Sequence, residues 1–209
     1  MLVEYENQIL PVIPKTFLGL DFAMHSLYVA SDEDEAKYPD FLRKAEKRLA
    51  KAQRKLSQKQ KESHNREKQR LRVAILHEKV ANQRRDFLHK KARYLADRYD
   101  VIGIEDISVK AMAKRKKGGK FSFGKSVADN GWNMFTNMLE YKLAWQGKKL
   151  IKIDKWYPSS QLCHVCGYQN HETKDLSVRE WDCPKCSSHH NRDKNAAINI
   201  REEAKRISA

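Results

Sequence analysis

Four cysteines constrain this chain more than any other feature. Cys163, Cys166, Cys183 and Cys186 read C-x2-C-x16-C-x2-C, and no other cysteine occurs among the 209 residues. A disulfide scaffold would spread its cysteines along the chain. Two close C-x2-C knuckles instead offer four thiolates to one tetrahedral ion. The spacing predicts a structural Zn2+ site in a small ribbon-like module, kept in a reducing compartment. Just beyond it stands Arg192-Asp193-Lys194-Asn195-Ala196-Ala197, which reads as an acid at the opening of a terminal helix.

The length suits one ordinary domain plus such a module, and the 40% hydrophobic content supports a core. Lys and Arg number 42 against 27 Asp and Glu, for a net charge of +15. A balance this basic points to a polyanion as partner. No run of apolar residues is long enough to span a membrane, and Met1 to Leu10 carry acids but no basic stretch of a secretory leader. The expected setting is the cytoplasm of a prokaryotic-type cell, at the nucleoid, with nucleic acid as partner and no membrane.

Along the chain, Val3, Tyr5 and Ile9 suggest an edge strand. The apolar run Phe17-Leu18-Gly19-Leu20 ends in Asp21, and residues 26–31 make a second strand, so the two predict a hairpin. The acids Asp32, Glu33, Asp34 and Glu35 read as a solvated turn. From 39 to 99 the period becomes helical. Leu42, Ala45, Leu49, Ala52 and Leu56 form a heptad seam, Ser63-His64-Asn65 interrupts it, and Val73, Leu76, Val80 and Phe87 resume it. Two antiparallel helices follow. Residues 36–99 hold 21 Lys and Arg against 7 Asp and Glu, which is nearly the whole excess charge. A single-sign excess of that size repels itself unless a polyanion offsets it. Residues 114–125 form a basic loop interleaved with Phe121 and Phe123. Residues 130–146 predict a helix with Trp132, Phe135, Leu139 and Leu143 on one face and Gly147 as its stop.

Three short apolar strands end in a carboxylate, at Asp21, Glu105 and Asp154, and Asp193 opens the last helix. Open α/β sheets gather ligands at the carboxyl ends of their strands. Acids placed there repel one another unless cations lie among them, and hard oxygen ligands suit Mg2+ or Mn2+. Two such ions about 4 Å apart would clamp a phosphodiester. Asp and Glu are also common at turns, as caps.

These residues resemble a known family. Phe17-Leu18-Gly19-Leu20-Asp21, Ile102-Gly103-Ile104-Glu105-Asp106-Ile107 and Asn191-Arg192-Asp193-Lys194-Asn195-Ala196-Ala197 are similar to the three RuvC motifs of TnpB/OrfB proteins. These are insertion-sequence-encoded, RNA-guided DNA endonucleases related to type V CRISPR effectors. Pro158-Ser159-Ser160-Gln161-Leu162-Cys163 and Leu176-Ser177-Val178-Arg179-Glu180-Trp181 resemble the segments that flank and build the family's ribbon. The likeness runs from about Thr16 to the C-terminus.

It implies an α/β, RNase H-like (RuvC) mixed sheet with a helical hairpin insertion at 36–99 and an inserted zinc ribbon at 161–189. The nuclease domain would be 17–160 plus 190–209, and 1–16 would be a remnant of an N-terminal wedge-like module. Asp21, Glu105 and Asp193 would hold two catalytic Mg2+ or Mn2+ ions, with Asp21 bridging them. The implied activity is a metal-dependent endodeoxyribonuclease acting on DNA, with a guide RNA as partner of a full-length relative. Family members carry wedge and recognition modules ahead of this region, and many have Gly where Ala23 stands. The alternative function is a non-cleaving, N-terminally truncated remnant or repressor-like derivative that keeps the basic surface.

Overall fold

A computed structural model describes residues 9–24, 26–107 and 131–209. Val3 and Tyr5, the 114–125 loop and Asn130 lie outside the described residues. Ile9, the last residue of the expected edge strand, sits in an irregular, exposed segment. Pro11 and Pro14 remove two ladder donors there, and Val12 N–H reaches the Gly147 carbonyl at 2.9 Å.

Strands β1 (Phe17–Ala23) and β2 (Leu27–Ala30) form the expected antiparallel hairpin, with Leu20 opposite Ala30. Helices α1 (Phe41–Ser57) and α2 (His64–Arg98) make the helical hairpin. Ser63 separates them because it caps α2: its hydroxyl accepts the Arg66 N–H at 3.2 Å. Leu49 and Val80 are buried along the seam, and Gln69 Nε2 donates to the Ala52 carbonyl at 2.9 Å across it. Strand β3 (Val101–Glu105), helix α3 (Trp132–Ala144) and strand β4 (Lys149–Ile153) follow. A short 3-10 turn (His171–Lys174) and strands β5 (Glu180–Asp182) and β6 (His189–Asn191) then lead into α4 (Arg192–Ser208).

The architecture is α/β around a mixed sheet of order β2-β1-β3-β4, in which β3 runs parallel to both β1 and β4. Period-two alternation divides it into two faces. Leu18, Leu20, Ile102 and Ile104 point into the main core, against Leu88, Ala92 and Leu95 of α2 and Phe135, Leu139 and Leu143 of α3. Each fully buried side chain of this size contributes about 1.5–3 kcal/mol. On the other face Val101 and Ile153 pack under Ile200 and Ala204 of α4.

One expectation is corrected. Of the acids at 32–35, Glu33 and Glu35 are exposed as a solvated turn expects, but Asp32 and Asp34 are not free: the Asp32 carboxylate accepts from the Tyr99 hydroxyl, and Asp34 accepts from the Tyr28 hydroxyl and pairs with Lys91 at 3.4 Å. Lys194 of α4 donates to the Asp32 carbonyl. The partners come from α2, β2 and α4, so the turn fastens three elements that local sequence cannot relate.

Candidate functional site

The pleat places Asp21 and Glu105 on one face. Leu20 pairs with Ile104 in the parallel register, so the next residue on each strand stands beside the other at the strands' carboxyl ends. Two glycines bring the last helix down onto this face. Gly19 and Gly103 are register partners. A Cβ at Gly19 would lie 2.0 Å from the Ala197 carbonyl oxygen, and one at Gly103 would lie 2.6 Å from the Ala204 Cβ. Without side chains at these two positions, α4 lies flat on β1 and β3, and Asp193 in its first turn reaches the acidic end of the strands.

Both other sequence-predicted carboxylates, Glu105 and Asp193, lie near enough for their charges to act on Asp21. Asp21 is half-buried near the end of β1. Burial drives its carboxyl well above the usual carboxylate range, the charges of Glu105 and Asp193 add to that push, and the Arg192 guanidinium opposes it. Burial also raises Glu105, against the Ser159 hydroxyl that donates to it and against Arg192. Arg179 Nη1 lies 3.3 Å from Asp193 Oδ2. Arg192 leaves its buried Nε without a hydrogen-bond partner. A buried acid raised further by two neighbouring carboxylates, in a set of hard oxygen donors, fits divalent Mg2+ or Mn2+. Asp154 does not join it. It is exposed beyond β4, and its carboxylate accepts the Trp156 N–H at 2.6 Å, as a turn cap does. Asp106 is exposed as well.

The cysteines are drawn together more tightly. Their sulfurs all lie within 4.8 Å of one another, and among the described residues no other group of Cys, His, Asp or Glu closes in this way. Zn–S bonds of about 2.3 Å imply a sulfur–sulfur spacing of about 3.8 Å in a tetrahedron. The Cys163–Cys186 and Cys166–Cys183 pairs are each at 3.6 Å. Both knuckles use one backbone pattern. Gly167 N–H donates to the Cys163 carbonyl and Ser187 N–H to the Cys183 carbonyl, while Cys163 and Cys183 N–H donate to the carbonyls of Tyr168 and Ser188. Gly167 and Ser187 both take positive φ, 73° and 59°. This repeated turn aims four sulfurs at one point and fits zinc. His190, buried on β6, adds a ring nitrogen 3.0 Å from Cys163 Sγ.

Ser159 and Arg179 escaped the sequence reading as members of the site. Ser159 reaches Glu105 across 54 positions, and nothing local signals it. Arg179 left a faint trace in the second cysteine segment. β5 pairs with β6 so that Glu180 faces Asn191, and Arg192 N–H donates to the Arg179 carbonyl at 2.8 Å. That hairpin carries Arg179 to Asp193.

The helical hairpin offers a separate feature. A groove of about 520 Å3 between α1 and α2 is rimmed by Arg48, Lys51, Lys55 and Arg72 over Ala52, Ile75 and Leu76. No helix among the described residues is long and apolar enough to cross a membrane.

Residues 132–200 match a family model described as "Cas12f1-like, TNB domain". A Streptomyces pristinaespiralis protein is 40% identical over 183 residues, covering 88% of this chain and 44% of its own length. InsQ of Escherichia coli K12 is 33% identical, covering 91% of this chain and 50% of its own. Both bear the name "Putative RNA-guided DNA endonuclease". The chain thus spans about half the length of these relatives. A solved Cas12f1–sgRNA–target DNA complex shares the fold, with a TM-score of 0.59 at 22% identity over 91% of this chain and 50% of that one. Residues 1–116, more than half of the chain, match the OrfB_IS605 model, "Probable transposase", and the chain belongs to that family.

Proposed function

We propose that this chain is the catalytic portion of a Mg2+-dependent DNA endonuclease of the transposon-associated, RNA-guided TnpB type. The observation that carries the reading is the convergence of Asp21, Glu105 and Asp193 from β1, β3 and α4 on one sheet face. On this reading the fold is RNase H-like, of RuvC type, with residues 17–160 and 190–209 as the nuclease domain and 161–189 as an inserted zinc ribbon.

Asp21, Glu105 and Asp193 would together hold the Mg2+ or Mn2+ ions. When bound, such ions supply Lewis-acid stabilisation of the phosphodiester and lower the pKa of a nucleophilic water. The protein's own residues arrange the rest. Ser159 and Arg192 steady Glu105, and Arg179 beside Asp193 offers a guanidinium to a phosphate. The basic groove of the helical hairpin suits sequence-independent contact with a nucleic-acid backbone, DNA or guide RNA. Selection of the cut sequence would fall to base pairing with the guide.

The test uses the purified chain with labelled single- and double-stranded DNA in Mg2+ or Mn2+, beside Asp21→Ala. Loss of a catalytic group expects cleavage to fall by about 10³-fold or more in the variant. Equal behaviour of the two proteins, with DNA binding retained, would assign the chain to a non-cleaving binding role instead.

A further inference from the structure

We infer that Ser159 is a positioning residue for Glu105, held in place by an asparagine clamp from the last helix. The inference rests on the carboxylate reading proposed above.

Ser159 is 4% exposed, and its hydroxyl donates to Glu105 Oε1. A hydroxyl that donates to one carboxylate oxygen fixes the carboxyl plane and leaves the other oxygen directed outward. This is the usual role of an outer partner to a metal-binding carboxylate. Such a hydroxyl is useful only if its own backbone is fixed, and here it is. Asn199 Nδ2, buried in α4, donates to the carbonyls of Ser159 and Leu162, both at 2.7 Å. One helical turn earlier, Asn195 Nδ2 donates to the same Leu162 carbonyl at 2.7 Å, and its Oδ1 accepts the His164 N–H at 3.1 Å. Segment 159–164 is thus bolted to α4 at both ends by two asparagines on one helix face.

That segment has two attachments. At one end Ser159 holds Glu105. At the other, Cys163 enters the four-sulfur cluster. The bolt is α4 itself, whose first turn carries Asp193. A buried asparagine whose donors meet loop carbonyls fixes a loop that contributes few ladder hydrogen bonds of its own. The clamp therefore sets Glu105 and Asp193 relative to each other through one rigid segment, without relying on the substrate.

Mn2+ binding to the zinc-loaded chain, read from the electron paramagnetic resonance of free Mn2+, tests this without relying on catalysis. Zinc content and melting temperature are recorded for each protein. Ser159→Ala is expected to weaken Mn2+ binding about tenfold, with zinc content unchanged, in line with other outer-partner substitutions. Ser159→Thr, which keeps the hydroxyl, is expected to bind within about threefold of the parent, since the lost donor is restored. Asn199→Ala should weaken binding in the same direction. Glu105→Gln separates the two readings. If Glu105→Gln weakens Mn2+ binding while Ser159→Ala does not, the positioning role is overturned and the carboxylate reading stands. If Glu105→Gln binds Mn2+ like the parent, the carboxylate reading fails and the positioning role fails with it.

Discussion

The cysteine cluster and the carboxylate cluster sit at opposite ends of segment 159–164, yet they are built on contrary principles. In the first, two copies of one backbone turn bring four sulfurs within 4.8 Å of one another. In the second, Glu105 and Asp193 come from distant elements near enough for their charges to raise Asp21, but the three carboxylates are not drawn to a point. Each keeps a neighbour of its own: the Phe22 N–H for Asp21, Ser159 for Glu105 and Arg179 for Asp193. A closed set of soft ligands holds a structure together. An open set of hard ligands around a buried carboxyl carries unfavourable energy that a cation or a proton relieves. On the proposed reading the same chain contains one site that stabilises the fold and one that the fold tolerates.

The largest expected effect comes from breaking the closed site. In the metal-free protein the thiols are unequal: burial pushes Cys163 up to about 12, while the Ser188 hydroxyl and N–H hold Cys186 down to about 6. A bound cation is what lets all four ligate together as thiolates. Cys183→Ser should abolish stoichiometric zinc and make residues 163–186 cleavable by limited proteolysis. The cost would be several kcal/mol, because structural zinc contributes folding energy outright. Full zinc stoichiometry in the variant would remove the four-cysteine assignment and the contrast with it.

That contrast was only partly legible in the sequence. Strand ends, the helical seam and the cysteine spacing are local patterns, so the four cysteines and the acids Asp21, Glu105, Asp154 and Asp193 could be read from them, and the resemblance to the family's motifs set Asp154 apart from the other three. Gly19 and Gly103 could not be read as a docking floor, since what they admit is the backbone of α4, nearly a full chain length away from Gly19. Ser159, Asn195 and Asn199 look like ordinary polar residues until the fold brings their partners to them. Asp32 and Asp34 misled for the same reason. Tyr99 and Lys194 turn a hydrophilic run into a fastening, and both are remote in sequence.

A middle-sized effect shows what a structural acid looks like. Asp100 precedes β3 at the end opposite Glu105. Its Oδ2 accepts the N–H groups of Lys15 and Thr16, each at 3.0 Å, and the Thr16 hydroxyl at 2.9 Å. Burial pushes this carboxyl up, but those hydrogen bonds and Lys148 more than offset it, and the net shift is downward. A carboxyl with a lowered folded pKa contributes stability above its unfolded pKa of about 3.9 and loses it as pH falls through the folded value. Asp100→Ala should therefore cost about 1–2 kcal/mol at pH 7, from the unpaired donors. The gap between variant and parent should close in strong acid. A gap that persists below the folded pKa would trace to packing and not to the ionised carboxylate.

The smallest effect has the opposite sign and separates the two kinds of acid. Asp21 is raised where Asp100 is lowered, by burial first and then by Glu105 and Asp193. A carboxyl with a raised folded pKa is fully compatible with the fold below its unfolded pKa and becomes a burden as pH rises through the folded value. With divalent ions chelated, Asp21→Asn should raise stability at pH 7 by about 1 kcal/mol, the common size of gain when a functional group held at a cost is removed. The gain should shrink as pH falls and vanish below about pH 4, where the parent is protonated in both states. Adding Mn2+ should then invert the order. Ligand that binds only the folded parent stabilises it by mass action, while the asparagine variant gains little. Melting curves at several pH values, with and without Mn2+, read all three signs. If Asp21→Asn is destabilising in chelator at neutral pH, Asp21 behaves like Asp100, and the proposed division between a stabilising and a tolerated site collapses at its central residue.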